Sequence, residues 1–192
     1  MKKVFLAVLL IGIVAASASN AASYKGKWGF SLADKEHPIG FDFGLGEKAA
    51  LDLGVGFRTV PVDTHLVTSG SDVQKKLDWD AQLGLRSAMM TTDNANIFVR
   101  VSATYGQHYA DPDNPTATTF FLDNKVKRFT AGLELGGEWW PTSILSFHVR
   151  HGVRFVSNKP DVAGATSETS FGSTGEVAGD AGFTLWWGGG NK

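Results

Sequence analysis

The residues best suited to chemistry in this 192-residue chain lie in SFHVRH, Ser146 to His151, with Glu134 and Glu138 a short way upstream. A serine, a histidine and a carboxylate within hydrogen-bonding reach can run nucleophilic catalysis. Other sets are weaker. DPDNP (Asp111 to Pro115) with Asp123 offers hard oxygens to calcium, but it lacks the spacing of a calcium loop and reads as a solvated turn. GLGEK (Gly44 to Lys48) lacks the full phosphate-loop pattern and opens no helix. His37, His65 and His108 stand alone between patterned segments, and the chain has no Cys, so there is no thiolate ligand or nucleophile. No catalytic residue, metal or cofactor is expected.

Whether SFHVRH can act depends on the elements that carry it. Eight segments alternate large apolar with small or charged residues: 27–33, 39–46, 50–58, 77–89, 96–106, 128–140, 145–156 and 176–187. In ALDLGVGFR, Leu51, Leu53, Val55 and Phe57 alternate with Asp52, Gly54, Gly56 and Arg58. A period of two is the mark of a strand with two unlike faces. A count of 23 Gly against 6 Pro, with 11% aromatics, suits strands and turns. Three connections (GEK, TTDN and PTSI) are tight, whereas 59–76, 107–127 and 157–175 are long and polar; DKEHP is the one short connection on the long side. Alternating short and long connections put the long ones at one end of an up-and-down barrel.

Ahead of these segments, Lys2 and Lys3 precede the apolar run Val4 to Ala16, and small residues follow with candidate cleavage points after Ala18 or Ala21. That layout predicts a cleaved secretory signal peptide over 1–22 and a barrel over 23–192. The apolar run is shorter than the roughly 20 residues a spanning helix needs. A formal net charge of −1 leaves no basic surplus, so a nucleic-acid partner is not expected.

The charges choose between the two faces. Carried along each strand, the polar phase holds all six arginines: Arg58, Arg86, Arg100, Arg128, Arg150 and Arg154. The same phase holds Asp42, Asp52, Asp78, Asp80, Glu134, Glu138 and Asp180, whereas Lys35, Lys48, Lys75, Lys76, Lys125, Lys159 and Lys192 read as turn, loop or tail residues. A narrow interior needs small residues beside long ones, and the rigid guanidinium fork suits crowded carboxylate pairing. The polar phase is therefore expected to form the lumen and the apolar phase a lipid-facing band. Aromatics gather at the strand ends as girdles: Trp28, Trp139 and Trp187 toward the short turns, and Phe57, Trp79, Tyr105 and Phe155 toward the long connections. His151 alone breaks the outward phase, to be explained by a bulge or a partner surface.

The pattern resembles the OmpA/OmpX-type family of small eight-stranded outer-membrane barrels. IGFDFGLGEKAALDLGVGF (39–57) looks like that family's first inner hairpin, and GDAGFTLWW (179–187) is similar to the C-terminal signal read by the barrel-assembly machinery, although GGGNK follows it here. The resemblance implies an all-β fold, an eight-stranded antiparallel up-and-down transmembrane β-barrel integral to the bacterial outer membrane. It also implies contact with outer-membrane lipid and lipopolysaccharide, and with the assembly machinery during biogenesis. No appended peptidoglycan-binding domain is expected. The SFHVRH set resembles that of outer-membrane lipid A deacylases, but those present their residues to lipid, whereas Ser146, His148, Glu134 and Glu138 fall in the lumen phase. The expected function is a structural or narrow-pore protein whose lumen is plugged by Arg, Asp and Glu. The alternatives are an adhesin or binder of an extracellular partner through its long loops, a lipid A-modifying enzyme, and a soluble lipocalin-like carrier.

Overall fold

The computed structural model describes residues 22–32, 37–63, 73–109, 125–161, 164, 166–173 and 180–189. Residues 1–21, which hold nearly all of the expected signal peptide, and connection residues 64–72, 110–124 and 174–179 lie outside them. All regular structure described is β: β1 (Lys27–Leu32), β2 (Ile39–Gly44), β3 (Ala49–Asp63), β4 (Val73–Thr91), β5 (Ala95–Tyr109), β6 (Lys125–Thr142), β7 (Leu145–Pro160), β8 (Glu168–Ser173) and β9 (Asp180–Gly188). Each of β1 to β7 pairs antiparallel with the next, and β9 pairs with both β7 and β1. The ring is closed, an eight-strand antiparallel barrel with one extra strand, β8. Closure pairs every strand of the ring on both sides over at least part of its length.

The extra strand corrects the expectation of a loop over 157–175. β7 continues to Pro160, and β8 pairs with its far half from Val153↔Ser173 to Asn158↔Glu168, while β9 pairs with its near half from Leu145↔Leu185 to Arg150↔Asp180. ETSFGS carries little apolar alternation, so nothing local marks it; the exposed backbone of a long β7 does. The same cause lengthens β3, β4 and β6. Lys75, Lys76, Lys125 and Lys159, expected in loops, belong to strands whose pairing runs on to Asp63↔Val73 and Val126↔Pro160. There the alternation of large apolar with small or charged residues fades, while backbone pairing persists.

The wall has uneven height. β1 and β2 have 6 residues each, whereas β4 has 19. Pairing of β3 with β2 ends at Ile39↔Val55, so above that point β3 has no β2 partner among the described residues. A bulge between Ala88 and Met90 turns Met89 and Met90 both outward. No bulge accounts for His151: Leu135↔His151 pairs regularly, and the side chain stands exposed in the outward band.

Candidate functional site

The alternation of each strand sorts side chains into an outer belt and a filled lumen. On the outside, Phe41, Phe43, Leu53, Leu83, Leu85, Val101, Leu133, Leu135 and Val149 are all exposed. Aromatics lie at both margins: Trp28 stacks on Trp187 at 4.9 Å and Trp139 on Phe147 at 5.9 Å near the short turns, while Trp79 meets Tyr105 edge-on at 6.1 Å near the long connections. Phe57 lies opposite Trp79 in register, and Phe155 lies between Ala131 and Phe171 of the extra strand.

Inside, the short-turn end is closed by a cluster not expected from the sequence. Tyr24, just ahead of β1, is fully buried, and its ring lies 6.0 Å from Trp140 and 5.7 Å from Trp186, which stack on each other at 5.2 Å. Ala22, Ala50 and Ala88 complete the cluster. The segment is pinned by its backbone: Tyr24 N–H donates to Glu47 O at 3.2 Å, and Asn96 Nδ2 donates to Ala22 O at 3.1 Å. At Gly44 any Cβ would overlap the Tyr24 carbonyl, so glycine there admits the segment into the mouth. Lys27 Nζ lies 4.3 Å over the Trp140 ring and donates to Ser143 O at 3.3 Å. The available signal was parity, since Trp140 shares the phase of Glu138 and Trp186 that of Thr184.

Above this cluster lies the charge network. The strand register sets like charges side by side, Asp42 beside Asp52 and Arg86 beside Arg100, an arrangement unfavourable on a flat sheet. The curved wall resolves it by pairing across the lumen. Arg86 donates to Asp42 Oδ1 at 2.7 Å and to Glu138 Oε1 at 3.3 Å, and the Tyr24 hydroxyl donates to Glu138 Oε2. Arg100 binds Asp52 through two nitrogens, Glu134 Oε2 at 2.7 Å and Gln82 Oε1 at 2.7 Å. Glu134 also lies 3.5 Å from both Arg150 Nε and Arg154 Nη2. Four carboxylates and four guanidinium groups thus balance, which is what makes burying them tolerable. Gly84 leaves the room taken by the Asp52–Arg100 pair, since a Cβ there would overlap both.

Toward the long connections the lumen widens. Asp78 accepts from Arg58 Nη2 at 3.0 Å and from the Tyr109 N–H at 2.9 Å. His37 folds inward, with Nε2 2.7 Å from Asp80 Oδ1, and packs against Gly54. Sequence alternation does not reach His37, so nothing local marked it as a lumen residue. Asp180 stands opposite Arg150 in register, but its side chain lies outside the described residues. Ser146 is fully buried with its Oγ accepting from Trp186 Nε1 at 2.9 Å, and His148 is buried opposite Glu138 in register, so both open to the lumen side of the wall.

Compared with protein-family models, with curated proteins and with solved structures, the chain matches none.

Proposed function

We propose that this chain is an integral bacterial outer-membrane β-barrel, a structural protein with a plugged lumen, inserted with its long connections outward after cleavage of its leader following Ala18 or Ala21. The observation that carries this reading is the inverted amphipathicity of a closed barrel. Buried paired charges fill the inside while large apolar side chains are exposed around the outside. Soluble monomers rarely expose contiguous apolar patches beyond a few hundred Å²; in lipid the same belt is the favourable arrangement, and a closed barrel satisfies its own backbone. A soluble carrier of apolar ligands would reverse the faces. A lipid A-modifying enzyme would present its nucleophile outward, whereas Ser146 and His148 lie inside.

The mouth sealed by Tyr24, Trp140 and Trp186 and the network above it favour a non-conducting barrel over an open pore. Strand pairing that rises beyond Phe57, Tyr105 and Phe155 favours a second reading, engagement of an extracellular partner at that rim.

Sodium carbonate extraction tests the reading together with gel mobility before and after heating. The protein should stay in the membrane pellet and migrate differently when unheated. Release into the supernatant would overturn membrane insertion, and large steady currents in planar bilayers would overturn the plug.

A further inference from the structure

The wide end of the lumen is a cavity of about 690 Å³, within the roughly 300–1,000 Å³ span of small-molecule sites. Below it a water-sized space of about 30 Å³ lies beside the charge network, so among the described residues the cavity is closed below like a cup. Its charges are unevenly engaged. Asp78 accepts from Arg58 and the Tyr109 N–H, and Asp80 Oδ1 lies 2.7 Å from His37 Nε2. Arg58 and Arg128 keep donors unengaged among the described residues. Arg58 uses one nitrogen on Asp78 and its side chain is 65% exposed. Arg128, from the opposite part of the ring, donates only through Nε, to Asn158 Oδ1 at 3.0 Å, and meets no carboxylate among the described residues. Both guanidinium groups line this one cavity, together with His108. Thr104 and Thr130 add hydroxyls to the same wall.

We propose that this cup binds a small hydroxylated anion, a carboxylate- or phosphate-bearing solute of sugar size. Arg58 and Arg128 hold the anionic group through charge-assisted hydrogen bonds, and Thr104, Thr130 and Asn158 meet the hydroxyls. A neutral sugar would forfeit the guanidinium contacts, and a cationic one would be repelled. The site requires the barrel and not the membrane, so its failure and that of the preceding reading are separable: carbonate extraction reports one and ligand titration the other.

The test is calorimetric titration of the full protein, as the expressing cell processes it, in detergent micelles. D-glucuronate and D-glucose 6-phosphate are the anionic probes, and D-glucose and D-glucosamine the neutral and cationic comparators. At least one anion should bind saturably, with both comparators weaker by about tenfold or more, the scale of a lost charged hydrogen bond. Which anion binds separates a carboxylate from a phosphate ligand. R128Q and R58Q should each weaken binding by about tenfold. K127Q makes the same charge change next to Arg128 but on the outer face, where Lys127 pairs with exposed Asp161 at 3.1 Å, and should change binding by less than about twofold. Equal binding of all four probes, no saturable binding of either anion, or an R128Q protein that keeps its fold and full affinity would overturn the proposal.

Discussion

The two halves of the lumen are built from the same residue types on the same strands, yet one is filled and the other hollow. In the inner half Asp42, Asp52, Glu134 and Glu138 each meet a guanidinium group, and Tyr24, Trp140 and Trp186 close the end below them. In the outer half Asp78 pairs with Arg58 and Asp80 lies beside His37, while Arg58 and Arg128 keep donors unengaged among the described residues. The difference is one of geometry more than composition. An eight-stranded interior is just wide enough for side chains to fill it, and the inner half receives one segment more, the stretch ahead of β1. The outer half lies above the short β1 and β2, where the wall is low. A filled lumen stabilises the barrel, and a hollow one can hold a solute.

Breaking the inner half should have the largest effect. R100A leaves Asp52 and Glu134 buried without their principal partner, and should cost about 3–5 kcal/mol in denaturant unfolding of the barrel in lipid vesicles. A cost under about 1 kcal/mol would mean water already reaches this half.

The outer belt comes next. L53R places a charge on the outward face of β3 at mid-depth of the apolar belt, between Phe41 and Leu83, and should impair insertion by about 2–4 kcal/mol. A neutral result in vesicle-folding assays would mean that the belt faces water.

Smaller again is Y24F, which removes the hydroxyl donated to Glu138 and should cost about 1–3 kcal/mol. The same unfolding measurement checks it, and the ring packing on Trp140 and Trp186 should survive. R58A in the outer half should cost under about 1 kcal/mol, because that pair is largely open to solvent on the arginine side. If R58A proved as costly as R100A, the contrast between the halves would fail.

Much of the fold was legible because alternation is local. The parity of Arg86, Arg100 and Arg150 with Asp42, Asp52 and Glu134 can be read from the chain one residue at a time. Two features escaped it for one reason. β8 has no apolar alternation of its own and exists because β7 is long enough to pair with two partners in succession. His37 lies between patterned segments and reaches the lumen only because Gly54 leaves space for it. The site was legible in its members and not in its pairs: Arg86 is set beside Arg100 by register, and only the curvature of the closed wall sends one to Asp42 and Glu138 and the other to Asp52 and Glu134.

The sequence by itself determined that successive side chains fall on two unlike faces, that the arginines share one of them, and that about eight strands carry the pattern. Side-chain direction in a strand depends only on position parity, so no distant contact is needed to read it. The tertiary structure alone decided which carboxylate meets which guanidinium, that Tyr24 seals one end by reaching Glu138 far along the chain, and that the described residues leave a cavity toward the other. These depend on ring closure, register and unequal strand lengths, which are properties of contacts between residues distant in the chain.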